Sequence, residues 1–184
     1  MDKDQTLKRL LDGNQAYLSS RTEIGDISQA VRLETAEHGQ QPLAIIITCS
    51  DSRVIPEAIF HCGIGDLFVI RVAGNVIDNH QLGSIEYAAD HLGTKLIMVL
   101  GHTHCGAVDA AIHHDPAGYI KFITDEIQTA IGEVKDPYRA CCLNVRHSIE
   151  VIEESFEIHR EEEHGLKVVG AVYHISDGSV SFDI

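Results

Sequence analysis

The sequence has no tryptophan, and no apolar run approaches the roughly 18 residues of a membrane-spanning helix. It has no internal repeat, no low-complexity tract and no Pro/Gly-rich linker that would divide it. It is short of positive charge: 14 Lys and Arg stand against 28 Asp and Glu, a net charge of -14. Nucleic acids and anionic membranes attract basic proteins, so neither is an expected partner. The opening residues, MDKDQTLKRLLDGNQAYL, are charged and amphipathic and lack a signal-peptide core, which makes the cytoplasm the expected location. Cysteines number five, an odd count and poor material for a disulfide framework in an unexported chain. They read first as core thiols or metal ligands.

The rest of the composition suits a soluble globule, with 44% hydrophobic and 23% charged residues over 184 positions. That length predicts one domain, 1–184, with a sizeable core. Leu7, Leu10, Leu11, Tyr17 and Leu18 recur at helical spacings over 3–19, and 28–38 reads as a helix capped by Ser28. Together they make a helical arm, 1–38, ahead of an α/β core, 39–184. The arm's apolar stripe must be buried, on its own domain or on a neighbouring chain. Short apolar runs predict strands at PLAIIIT (42–48), DLFVIRV (66–72), KLIMVLG (95–101) and KVVGAVYHI (167–175). Helices are predicted over 80–92, 106–113, 118–133 and 139–163. SVSFDI (179–184) follows the turn SDGS and predicts a closing hairpin. The alternation implies a mostly parallel central sheet with one antiparallel edge strand and helices on both faces. The acid-rich REEEHG (160–165) reads as a solvated face.

Two strand endings carry the chemistry. The first is IIITCSDSRV (45–54), where Cys49, Asp51 and Arg53 are two residues apart and share a side if the chain stays extended. Open α/β sheets bind ligands at such carboxyl ends. The second is VLGHTHCGAV (99–108), with His102 and Cys105 three apart. Adjacent parallel strands would bring the two endings together. Two thiolates and one imidazole make a zinc set whose fourth position is open to water or substrate. His104 is an alternative to His102, but it adjoins Cys105, and neighbouring residues do not easily turn to one tetrahedral ion. Cys62, Cys141 and Cys142 match no ligand pattern and read as core residues, with a redox role for the vicinal pair the minority reading.

The pair CSDSRV (49–54) and GHTHCGAV (101–108) resembles the β-class carbonic anhydrases. LLDGNQAYL (10–18), GDLFVIRVAGN (65–75), GSIEYAADHLG (83–93) and VVGAVYHISDG (168–178) also look like family segments, in the family's order. The resemblance implies zinc-dependent reversible hydration of carbon dioxide to bicarbonate and a proton. It implies Cys49, His102 and Cys105 as zinc ligands and Asp51 with Arg53 as a catalytic dyad. Gln40, Phe68 and Tyr87 fall at positions that line the substrate pocket, and Gly106 follows the last ligand. In some relatives the counterpart of Asp51 leaves its arginine and fills the fourth zinc position. The implied assembly is a homodimer, or that dimer doubled to a tetramer, with both chains lining the cleft. Val72 departs from the asparagine of many relatives. Ile46 stands at the Trp position of a second, inhibitory bicarbonate site, whose other positions are Arg71 and Tyr173, so that site is not expected intact. Two rival readings are a carbon disulfide or carbonyl sulfide hydrolase on the same zinc site and a non-catalytic zinc-stabilised binding protein.

Overall fold

The computed structural model describes residues 2–19, 24–113, 118–182 and 184. Two helices, α1 (Lys3–Ser19) and α2 (Gln29–His38), precede the first strand, β1 (Ala44–Thr48). There follow α3 (Pro56–Ile59), β2 (Leu67–Arg71), a single 3-10 turn (Ala73–Asn75) and α4 (Asn79–Glu86), which runs on as one π turn (Tyr87–His91). The chain continues through β3 (Leu96–His102), α5 (Gly106–His113), α6 (Ile120–Ile131), α7 (Pro137–Glu153), α8 (Phe156–Glu163), β4 (Lys167–Tyr173) and β5 (Val180–Ser181). Among the described residues, no helix is long and apolar enough to cross a membrane.

The strands pair in the order β2-β1-β3-β4-β5. The first four are parallel, and β5 runs antiparallel to β4 at the edge. The expected architecture is therefore present. Every residue of β1 and β3 is buried, which explains why both read as unbroken apolar runs: a strand covered on two faces has no solvent side. Their side chains alternate between two cores. Ile45, Ile47, Ile97 and Val99 meet Val145 and Ile152 of α7 on one face. Ile46, Met98 and Leu100 meet Leu10 of α1 and Phe60 on the other.

The arm's stripe thus packs partly on its own chain. Leu10 is fully buried, whereas Leu11 and Leu18 remain exposed. Buried Asn14 fastens α1 by donating to the carbonyls of Ile59 and Gly178. Helix α2 is different: it contributes no buried residue, and Leu33 is 59% exposed.

Several boundaries differ from the sequence expectation. The helix predicted over 139–163 is two helices, divided where Ser155 caps α8 by accepting from the Ile158 amide. The Ser155 hydroxyl also donates to Glu86, at 2.7 Å. The short α3 and the 3-10 turn were not predicted, and β5 covers only two residues of the run 179–184, of which position 183 lies outside the described residues.

REEEHG is not wholly a solvated face. Glu161 is buried and accepts from the Lys95 ammonium at 2.6 Å. That bond holds the Glu161 carboxyl below its ordinary value of 4.5, against the opposing effect of burial. A depressed carboxyl stabilises the fold above the unfolded value, and the benefit is lost as pH falls through the folded one. Glu161→Gln should therefore cost about 1–2 kcal/mol at neutral pH. The gap to the unsubstituted chain should shrink below about pH 4.5. Urea unfolding at pH 7 and pH 3 checks this; a pH-independent gap would contradict the pairing.

Candidate metal centre and active site

Because β1 and β3 are parallel neighbours, with Thr48 beside Leu100, their carboxyl ends open at the same edge. Cys49 leaves β1, His102 ends β3 and Cys105 follows three residues later. The Sγ atoms of the two cysteines and a ring nitrogen of His102 all lie within 4.8 Å of one another. All three side chains are buried: Cys49 is 5% exposed, His102 1% and Cys105 6%. Among the described residues this is the one group of three or more such side chains arranged to hold a metal ion.

The turn between His102 and Cys105 is made at His104, whose φ of 56° is uncommon for a residue with a Cβ. The His104 carbonyl accepts from Arg53 Nη2 at 3.1 Å. Its residue thus serves as backbone, and the structure brings His102, not His104, into the cluster. His102 Nδ1 lies 2.9 Å from the Thr103 carbonyl. Only a protonated Nδ1 can make that bond, so the lone pair of the neutral ring is on Nε2. Nε2 is buried and has no hydrogen-bond partner. An orphaned ring nitrogen beside two thiols is the donor set that a soft, tetrahedral cation such as zinc satisfies.

The two thiols share their ionisation unequally. Cys105 beside it, together with His102 and the Gly74 amide, lowers the Cys49 thiol to about 4 despite burial. The neighbouring Cys49 and burial push Cys105 up. Burial opposes a charge on His102, but Cys49, the Thr103 carbonyl and Asp51 raise its pKa overall. The remaining buried thiols behave as core residues. Burial pushes Cys62 and Cys141 up to about 12, and Cys141 donates to the His102 carbonyl at 3.4 Å.

Asp51 and Arg53 form a two-pronged pair. Arg53 Nε donates to Oδ1 at 2.9 Å and Nη2 to Oδ2 at 2.7 Å, while the Arg53 amide also donates to Oδ1 at 2.9 Å. The Arg53 guanidinium holds the Asp51 carboxyl well below the usual carboxylate range, against burial. Asp51 Oδ2 lies 3.9 Å from His102 Nε2, so the ionised acceptor borders the cluster while staying on its arginine.

Gly106 follows Cys105 at the start of α5 and lines a cleft of about 250 Å³ with Cys105 and Asp109. The other three predicted pocket residues are elsewhere. Gln40 precedes β1, and Phe68 pairs with Ile45 near the start of β1. Tyr87 packs on Phe68, with ring centroids 6.2 Å apart. Cys49 lies four residue steps beyond Ile45, about 13 Å of extended chain. Gln40, Phe68 and Tyr87 therefore sit toward the amino edge of the sheet, away from the cluster of their own chain.

Two supporting residues escaped the sequence reading in this role. Arg71 donates through Nε to the Cys49 carbonyl at 3.2 Å and through Nη2 to the Asp51 carbonyl at 2.7 Å. Gly74 donates its amide to Cys49 Sγ at 3.3 Å. Gly74 has φ 69°, and a Cβ there would approach Ile127 to 2.7 Å, so the position requires glycine. Tyr173 meanwhile bonds the Tyr17 hydroxyl at 3.2 Å. Both Arg71 and Tyr173 are thus engaged with other groups.

A buried thiol–imidazole–thiol cluster at the carboxyl edge of a parallel sheet, beside an ionised Asp–Arg pair, defines a metalloenzyme-type centre on an open α/β fold. The comparisons with known proteins agree. The family model described as carbonic anhydrase matches residues 44–180. Carbonic anhydrase 2 of Mycobacterium tuberculosis strain H37Rv is 38% identical over 183 residues, covering 93% of this chain and 88% of that protein. The β-carbonic anhydrase CafA of Aspergillus fumigatus superposes with a TM-score of 0.77 at 28% identity, over 83% of this chain and 80% of that one. The Coccomyxa β-carbonic anhydrase solved with acetazolamide gives 0.75 at 28% identity, over 85% and 78%. The chain belongs to the carbonic anhydrase family, in its β class.

Proposed function

We propose that the chain catalyses the zinc-dependent, reversible hydration of carbon dioxide to bicarbonate and a proton, with Cys49, His102 and Cys105 holding the metal. The observation that carries this is the partnerless, buried His102 Nε2 beside two buried thiols and the Asp51–Arg53 pair. When bound, zinc supplies Lewis acidity that makes a hydroxide nucleophile available near neutral pH. Asp51 Oδ2, which borders the cluster, would accept a hydrogen bond from the nucleophile and so orient it toward the substrate. Arg53 fixes the carboxylate for that task and keeps it ionised. Held in place by two guanidinium bonds, Asp51 is suited to orienting the nucleophile. Gly106 leaves open space beside the last ligand, since nothing lies within 4 Å of a Cβ built there.

The test is zinc analysis joined to a stopped-flow hydration assay. Cys105→Ser should lose most of its zinc and its activity together. Asp51→Ala should keep about one zinc per chain and lose turnover by roughly the hundredfold or more expected of an orienting acceptor. Unchanged turnover in Asp51→Ala would remove that residue from the mechanism.

We further propose a homodimer as the smallest active unit, or that dimer doubled, with Gln40, Phe68 and Tyr87 lining the cleft of the partner chain. Their place at the far edge of the sheet supports this, as does α2, which buries nothing within its own chain and exposes Leu33. Carbon dioxide is small and uncharged, so Phe68 and Tyr87 suit an apolar wall, and the Gln40 amide suits a bicarbonate oxygen. The five free cysteines suit a reducing compartment, the cytoplasm, and recovery in an oxidising fraction of the cell would contradict that placement. Sedimentation at assay concentration should give a dimer or larger, and Tyr87→Ala should impair turnover without releasing zinc. A fully active monomer would exclude the shared cleft.

A further inference from the structure

Helix α7 presents two polar side chains to the 3-10 turn at Ala73–Asn75. Asn144 and Ser148 are four residues apart on one face and both are buried, at 1% and 2% exposure. Asn144 Nδ2 donates to the Gly74 carbonyl at 2.8 Å. Ser148 Oγ donates to the Asn75 carbonyl at 3.0 Å and lies 3.4 Å from Asn75 Nδ2. Gly74 and Asn75 both have positive φ, 69° and 48°, so this turn is held in the left-handed region by its surroundings. The amide of that same Gly74 points at Cys49 Sγ. One side chain on α7 thus fixes the carbonyl side of a residue whose amide side meets a thiol of the cluster.

Asn144 bears a cost for this arrangement. Its Oδ1 is buried with no hydrogen-bond partner. Turning the amide over would satisfy nothing, because it would set one carbonyl oxygen against another. An apolar residue would avoid the orphaned oxygen and would match Cys141 and Val145, which are buried on the same helix. The presence of an amide there is explained by what it does to Gly74.

We infer that Asn144 is a positioning residue for the metal centre: by holding the Gly74 carbonyl it fixes the backbone angles of Gly74, whose own N–H, in the preceding peptide unit, meets Cys49 Sγ, and so it sets metal affinity. An N–H aimed at sulfur stabilises the thiolate form, which is the form that ligates. Groups that orient ligands in this way commonly change metal affinity 10–100-fold when removed. The inference rests on the proposed ligand set of Cys49, His102 and Cys105.

The experiment measures zinc affinity of the purified full chain by competition with a chromophoric chelator, and the thiolate charge-transfer band after cobalt substitution. Asn144→Ala should bind zinc about 10–100-fold more weakly and shift the cobalt band, with its far-ultraviolet dichroism unchanged. Ile152→Val, which thins the same helix's core contacts far from the cluster, should leave affinity within about twofold, separating a positioning effect from general loosening. If Asn144→Ala does not fold, Asn144→Ser carries the test, because its hydroxyl is too short to reach the Gly74 carbonyl and the same loss is expected. Wild-type affinity and an unmoved band in a folded Asn144 variant would overturn the inference and leave the ligand set standing. A chain that binds zinc in no form would overturn both.

Discussion

Two thiols and an imidazole packed within 4.8 Å, almost without solvent, are an electrostatic problem before they are a site. A buried polar group without a partner costs free energy, and a buried charge costs more. His102 Nε2 has no partner, and of the two thiols one ionises early only by suppressing the other. A divalent cation offsets both costs at once, by taking the nitrogen lone pair and balancing two thiolates. The requirement for that cation organises the surrounding structure.

The structure around the cluster holds Cys49, His102 and Cys105 where a cation could meet them. Parallel pairing of β1 with β3 sets the two strand ends side by side, and a fully buried pair of strands fixes their register. Arg71 then ties down the carbonyls of Cys49 and Asp51, Arg53 ties down His104, and Cys141 ties down His102. Each of these bonds is to backbone. The backbone that carries the three side chains is therefore fixed without engaging His102 Nε2.

The strands were legible because short apolar runs between polar borders suit the middle of a covered parallel sheet. Cys49, His102 and Cys105 were legible because all three stand at strand ends, so sequence position translated directly into spatial position. Other features depend on partners that sequence spacing does not disclose. Ser155 stops a helix inside an unbroken run of helix-forming residues, and its hydroxyl answers to Glu86, which is 69 residues earlier. Glu161 sits among surface acids but finds Lys95 across the fold. Arg71 matches a position of a second anion site by resemblance, whereas its contacts, to the Cys49 and Asp51 carbonyls, depend on the loop over which it folds. Gln40, Phe68 and Tyr87 were named from family resemblance, and no local pattern ties them to a cluster at the other edge of the sheet.

The central claim is the identity of the ligand atoms, and X-ray absorption at the zinc K edge of the purified protein tests it most directly. The account predicts a four-coordinate shell with two sulfurs at about 2.3 Å and the other two ligands nitrogen or oxygen, at about 2.0–2.2 Å. A shell of four sulfurs, or one with no sulfur at all, would contradict it.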